Sequence, residues 1–189
     1  MIDTQDISKV VEILQAGGVI LYPTDTIWGI GCDATNPTAV SAIYKLKQRE
    51  DTKSMIILVD KPGRIPSYVS EMPDIAWDLI EQTITPLTII YSGAKNLANN
   101  LIASDGTIGI RVVKHEFCQR VIERLRKPIV STSANISGNP YPRSFGEIPG
   151  IIKEGVNFIV PEIYENSHSA KPSGVIMLGP KGEVKVLRE

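Results

Sequence analysis

Two apolar runs of strand length stop abruptly in clusters of small polar side chains, and this feature constrains the fold more than any other. Val19 to Tyr22 ends at Pro23 and is followed by Thr24, Asp25 and Thr26. Pro128 to Val130 empties into Ser131-Thr132-Ser133-Ala134-Asn135. Proline has no N–H to give a sheet ladder, so the first strand stops there. Short hydroxyl, amide and carboxylate side chains at a strand end either bond nearby backbone or face a ligand. After the first cluster comes a helical segment, and Lys47, Arg49 and Lys53 arrive at its far end. That arrangement makes half of a pocket for a polar, anionic small molecule. The alternative is a strand, a turn and a solvated helix end.

The surrounding periodicities give a mixed α/β order. Ile7, Val10, Val11 and Leu14 recur at helical spacing before Gly17-Gly18. Trp28 to Ala34 is a second extended piece. Asn36-Pro37 is an N-cap followed by proline at the first helical position, and Ala39, Val40, Ile43 and Leu46 make that helix's apolar face. Ser54 to Val59 reads as an apolar strand. A helix follows over Asp74 to Gln82 with Ile75, Leu79 and Ile80 inward, then strands over Leu87 to Tyr91 and Thr107 to Val113. Glu116 to Arg126 is a helix with Phe117, Val121, Ile122 and Leu125 inward. Ser144 to Glu154 is helical with interruptions at Pro149 and Gly150, and Val156 to Val160 is a strand. Val175 to Leu178 and Val184 to Leu187 flank Gly179-Pro180-Lys181-Gly182 as a terminal hairpin. With no repeat, low-complexity tract or linker, residues 1–189 read as one domain.

Charge narrows the function classes. The formal net charge is -1, so the chain is not a polycation built to coat nucleic acid. The charge is unevenly placed, however. Lys45 to Arg64 holds six basic and three acidic residues, and Arg111 to Lys127 holds six basic and two acidic ones. A local basic surface therefore fits the sequence. Cys32 and Cys118 are the only cysteines and have no histidine at metal spacing, which argues against a disulfide framework and a zinc site. No signal peptide and no apolar run of spanning length is present, so the expected location is the cytoplasm, without membrane contact.

Several motifs carry less than their pattern suggests. Gly29-Ile30-Gly31-Cys32-Asp33-Ala34 satisfies the dinucleotide pattern Gly-x-Gly-x-x-Ala, but Asn36-Pro37 starts the helix after Ala34 rather than before it. His115 and His168 read as surface histidines, and Ser131 and Ser133 lack a nucleophile elbow. Phosphate and carboxylate binders are many, and proton-transfer groups are few. That balance suits an enzyme working by positioning and charge neutralisation, as in nucleotidyl transfer. It equally suits a binding module. Arg111 stands inside an apolar strand, where an arginine needs a partner or a ligand.

Tyr22-Pro23-Thr24-Asp25-Thr26-Ile27-Trp28-Gly29, Lys47-Gln48-Arg49, Thr107-Ile108-Gly109-Ile110-Arg111 and Ser131-Thr132-Ser133-Ala134-Asn135-Ile136-Ser137-Gly138 resemble the YrdC/TsaC family in order and spacing. The likeness runs from Gly17 to Arg188. It implies a twisted, mixed open α/β sheet with flanking helices around a concave basic cleft. It also implies synthesis of L-threonylcarbamoyl-AMP from L-threonine, bicarbonate and ATP, with release of pyrophosphate, for t6A modification of tRNA. ATP is then a substrate, and Mg²⁺ is expected to share its charge. The resemblance places Thr26, Arg111, Ser131 and Ser173 near threonine. It places Arg49, Lys53, Thr107, Ser133, Asn135, Tyr141 and Arg188 near ATP. Lys47 and Arg49, of the Lys-x-Arg signature, are the candidate catalytic pair. Candidate partners are tRNA or double-stranded RNA and a t6A transferase complex that receives the product.

The sequence departs from the family pattern in three places. A Pro-Gly-Pro-Leu-Thr segment is reduced to Thr85-Pro86-Leu87-Thr88, Glu50 replaces a proline after Arg49, and Gly174 replaces a threonine after Pro172-Ser173. The competing reading is a non-catalytic RNA-binding member of the same fold, for which charge alone would suffice.

Overall fold

The computed structural model describes residues 2–48, 55–165 and 171–189. The first helix, α1 (Thr4–Gln15), is capped by the Asp3 side chain, which accepts from Gln5 N at 2.8 Å, and it buries Ile7, Val10, Val11 and Leu14. The chain turns at Gly17, at φ +81°, into β1 (Ile20–Tyr22) and then β2 (Gly29–Gly31). In α2 (Pro37–Leu46) the Asn36 side chain accepts from Thr38 N and Ala39 N at 3.0 and 3.1 Å, as its sequence position requires. This helix ends at Lys47 with no glycine. Gln48 takes the left-handed conformation instead, at φ 50°.

β3 (Ile56–Val59), α3 (Ile75–Gln82), β4 (Leu87–Tyr91), β5 (Ile108–Val112) and α4 (Glu116–Leu125) follow. The chain closes with β6 (Ile129–Ser133), α5 (Gly150–Glu154), β7 (Phe158–Ile159), β8 (Gly174–Leu178) and β9 (Val184–Arg188). Among the described residues the strands make one mixed sheet in the order β7-β1-β2-β6-β3-β5-β4-β8-β9. β3 runs parallel to β5, whereas β6 and β4 lie antiparallel to their neighbours β3 and β5.

Side chains alternate across this sheet and divide the core in two. Leu21, Ile30, Ile57, Val59, Ile110 and Val130 pack on one face with α2, α3 and α5. Ile20, Tyr22, Leu58 and Ile129 pack on the other, under α1 and α4. By the same alternation Gly29, Ser131, Ser133, Gly109, Arg111 and Thr88 belong to the α1/α4 face, and neither helix's apolar cluster includes them. That uncovered part of the face is where the cavity described below lies.

Several expectations change. Ile75 is 38% exposed, and Ala76 is the residue that α3 buries; Leu79 and Ile80 are half-buried. The Ser144 to Glu154 segment splits into a short 3-10 turn over Phe145–Glu147 and α5, because Pro149 has no N–H to continue a helix. β6 does not empty into a loop at Ser131. It runs through Ser133, since Thr132 and Ser133 still pair with Ile30 and Gly29. His115 is not on the surface. It is 3% exposed, with Nε2 2.9 Å from Tyr164 O, a partner remote in sequence. His168, Glu50 and Ser54 lie outside the described residues.

The Gly-x-Gly pattern has a packing reason. A Cβ at Gly31 would run into Val130 O and stand 2.7 Å from Tyr22 Cε1. The Tyr22 ring occupies that space and its hydroxyl donates to Val130 O at 3.0 Å. These glycines sit in a strand, not in the turn before a helix. Among the described residues no helix is long and apolar enough to cross a membrane.

Candidate functional site

A cavity of about 310 Å³ opens on the uncovered part of the sheet. The strands bring its lining together: Thr26 to Trp28 from the β1–β2 connection, Gly29 from β2, Ser131, Thr132 and Ser133 from β6, Arg111 from β5 and Arg188 from β9. Asn135, Asn139, Pro140 and Tyr141 close one side, and Pro172 and Ser173 another. Among the described residues two guanidinium groups line the cavity, and no carboxylate does. Such a lining favours an anionic, hydroxyl-bearing ligand.

Thr26, Arg111, Ser131 and Ser173, the residues expected near threonine, all line this cavity. Thr26 is braced by Thr24, their hydroxyls standing 2.9 Å apart. Ser173 Oγ lies 2.8 Å from Thr88 Oγ1, both buried. Arg111 is 3% exposed, and its Nη2 lies 3.1 Å from Asp25 Oδ1 and 3.4 Å from Thr24 Oγ1. The anion that a buried arginine needs is therefore supplied by the protein itself. Among the described residues its Nε–H has no partner.

Ser133, Asn135, Tyr141 and Arg188, expected near ATP, line the same cavity. Ser133 Oγ donates to Asn135 Oδ1 at 2.5 Å, and Asn135 Nδ2 donates to Asn139 O at 2.6 Å. Arg188 Nε donates to Ser173 O at 2.9 Å. Burial, and then the neighbouring Arg111 charge, hold the Arg188 pKa below the usual guanidinium value. Thr107 is placed elsewhere: it precedes β5, and its hydroxyl donates to Asp105 Oδ1 at 2.7 Å. Arg49 and Lys53 lie outside the described residues.

Lys47 sits behind the cavity rather than in its lining. It is 1% exposed, and its ammonium donates to Ser133 O, to Asn135 O at 2.6 Å and to Asn135 Oδ1 at 3.2 Å. Its own carbonyl accepts from Ser137 N at 3.0 Å. The end of α2 thus clamps the Ser133–Ser137 segment. Asn139 and Asp25 escaped the sequence reading as site residues. The Gly138-Asn139-Pro140 turn, with Gly138 at φ +90°, was a usable sign of the first.

A mixed sheet whose strands gather two arginines, serines and an asparagine around one cavity defines an α/β protein with a pocket suited to small anions. Residues 12–189 match the Sua5/YciO/YrdC family model, whose description is "Telomere recombination", and the chain belongs to that family. Among its relatives is the threonylcarbamoyl-AMP synthase of Pseudoalteromonas translucida, 33% identical over 165 residues that cover 86% of this chain and 88% of that protein. The enzyme of the same name from Photobacterium profundum is 32% identical over 158 residues, 82% of this chain and 85% of the relative. Among solved structures, P. abyssi Sua5 complexed with L-threonine superposes with a TM-score of 0.88 at 26% identity, over 100% of this chain and 55% of that one. The chain thus spans just over half the length of P. abyssi Sua5. E. coli YciO gives a TM-score of 0.85 at 27% identity, over 99% of this chain and 90% of the other.

Proposed function

We propose that the protein is an ATP-dependent threonylcarbamoyl-AMP synthase. One observation carries the reading: a single cavity gathers Thr26, Arg111, Ser131, Ser133, Asn135, Ser173 and Arg188, with no carboxylate among its described lining residues, in a chain whose relatives bear that enzyme's name. The threonine amine attacks bicarbonate and, with loss of water, gives a carbamate. A carbamate oxygen then attacks the ATP α-phosphorus, and pyrophosphate leaves with the electrons of the broken P–O bond. None of the described lining residues is a histidine, lysine or carboxylate able to act as a general base. What the described lining supplies is positioning and neutralisation of charge. Arg111 faces the amino-acid carboxylate, with Ser131, Thr26 and Ser173 around it. Arg188, Ser133, Asn135 and Tyr141 face the nucleotide; Arg49 and Lys53, assigned to ATP by the family resemblance, lie outside the described residues. Lys47 holds the Ser133–Ser137 segment in register.

Mg²⁺ would enter with the ATP phosphates. Among the described residues no group of three or more His, Cys, Asp or Glu gathers as a cation site, so no step is assigned to a protein-held metal. The product would pass to a t6A transferase complex in the cytoplasm. Pyrophosphate release that requires both threonine and bicarbonate supports this function, with the adenylate seen by mass spectrometry. Equal release with serine, or with neither added, excludes it.

A second reading, RNA binding without turnover, draws on one feature. Arg64, Tyr68, Arg126 and Lys127 meet around a shallow depression, so the two basic stretches converge. Arg64 is already paired with Asp60 at 3.1 Å and Lys127 with Asp33 at 2.6 Å. The expected RNA affinity is weak and falls steeply with salt as counterions are released.

A further inference from the structure

Asp25 is the one carboxylate that reaches Arg111 among the described ion pairs, and the chemistry proposed above gives it no part. Its side chain is 6% exposed, and it does not line the cavity. Two anchors fix it. Oδ2 accepts from Lys114 N at 2.9 Å, and Oδ1 lies 3.1 Å from Arg111 Nη2. The first anchor belongs to the backbone just beyond β5, the strand that carries Arg111. The turn after β1 is therefore tied to the far end of the arginine's own strand.

A guanidinium carries five N–H donors in a rigid plane. Asp25 Oδ1 faces Nη2 as an ion pair without hydrogen-bond geometry, and Nη2 donates to Thr24 Oγ1 at 3.4 Å. Among the described residues the Nε–H is left unpaired inside a buried group, while Arg111 itself lines the cavity. An unpaired buried donor on a charged group is costly unless a ligand completes it. Nε–H lies on the same edge of the plane as Nη2, so a ligand carboxylate that leaves Asp25 in place meets the Nη1 end of the guanidinium. Asp25 also cancels the Arg111 charge, which leaves Arg188 in the lining and Lys47 behind it to balance the ligand.

We propose that Asp25 is a positioning residue: it holds Arg111 by the Nη2 corner so that the Nη1 end of the guanidinium is presented to the carboxylate of the amino-acid substrate. The proposal rests on the threonylcarbamoyl-AMP reading for the identity of that substrate, but the Asp25–Arg111 coupling can be tested without it.

The test compares the full-length wild type with Asp25→Asn, which keeps the shape and removes the charge. In a ¹H–¹⁵N spectrum of arginine side chains, the wild type should give a sharp, slowly exchanging Arg111 Nε–H signal, assigned by its loss in Arg111→Lys. In Asp25→Asn that signal should broaden or disappear while the backbone spectrum stays dispersed. The threonine KM should rise at least tenfold, with kcat at saturating threonine within twofold and the ATP KM unchanged. An unaltered Arg111 signal in Asp25→Asn overturns the proposal, as does a threonine KM within twofold of wild type. If the wild type turns over no threonine at all, the enzymatic reading fails, and the arginine signal alone decides the positioning role. Should Asp25→Asn not fold, crystals of the wild type soaked with L-threonine decide it. Arg111 Nη2 should stay at hydrogen-bonding distance from Asp25 with the ligand at the Nη1 end; a guanidinium that leaves Asp25 to reach the ligand refutes the role.

Discussion

Lys47 and Arg111 are both buried cations beside the same cavity, and the protein treats them in opposite ways. Among the described residues Lys47 gives its ammonium to Ser133 O, Asn135 O and Asn135 Oδ1 on one segment. Arg111 gives one corner to Asp25 and Thr24, and among the described residues its Nε–H stays unpaired. A lysine at a helix end can reach backbone carbonyls as a point charge, so it suits a clamp. An arginine has a planar fork too large for one protein partner to satisfy, so it suits a shared contact between protein and ligand. Burial alone therefore does not separate a structural cation from a ligand-binding one. The donors left over do.

The largest effect should come from breaking the shared contact. Arg111→Ala should weaken threonine use by about 2–5 kcal/mol, the range for truncating one partner of a buried charge pair. ATP affinity should hold. Steady-state kinetics with each substrate varied in turn measures this, and a collapse of ATP binding with threonine binding intact would reverse the assigned ligand roles. Lys47→Met should act on the fold rather than on one substrate. It takes the charged donor from Asn135 O and from Ser133 O, which keeps Asn135 N at 2.9 Å, and losing charged hydrogen bonds of this kind should cost about 3 kcal/mol of stability. Urea unfolding reads that loss directly. If instead the midpoint is unchanged and only turnover falls, Lys47 acts on substrate and the contrast with Arg111 disappears. A smaller effect is expected at Thr88, which stands opposite Arg111 in the sheet register. Thr88→Val removes the partner of the buried Ser173 hydroxyl and should cost about 1 kcal/mol of stability, with threonine affinity reduced in the same variant.

Much of this arrangement was legible in the sequence. Asn36-Pro37 announced the start of α2 because the cap and the proline act locally. The apolar runs marked β3, β4 and β5, and both hydroxyl clusters do reach one cavity. What stayed hidden depended on partners distant along the chain. Arg111 visibly needed an anion, but only the folded sheet brings Asp25, from the turn after β1, against it. Likewise His115 looked exposed because its polar neighbours in sequence say nothing of Tyr164, which packs across it. Ile75 fitted a helical stripe, yet α3 covers the sheet with Ala76 instead. The end of α2 carried no glycine to announce it, and Gln48 adopts the left-handed turn without one.

His115 offers the smallest and most local test, because the Asp25 charge acts on its imidazole. Burial pushes its pKa below the ordinary imidazole value of 6.5, while the hydrogen bond to Tyr164 O and the negative charges of Asp25 and Glu116 pull it back up. The neutral imidazole, donating from Nε2, is therefore the form the fold prefers. The sign of the linkage follows. Below the unfolded pKa the unfolded chain binds a proton that the folded one resists, so stability is full above pH 6.5 and declines as pH falls through the folded-state value. Thermal unfolding should show a falling midpoint on acidification from about pH 7.5, and His115→Gln should flatten that part of the profile. Removing the Asp25 charge removes one of the groups holding the imidazole pKa up. In Asp25→Asn the His115 titration, followed by NMR, should therefore move to still lower pH. In Arg111→Ala it should move the other way, because Asp25 then loses the cation that offsets its field. Titrations that shift together in both variants would mean that Asp25 and Arg111 do not act as a pair at this position.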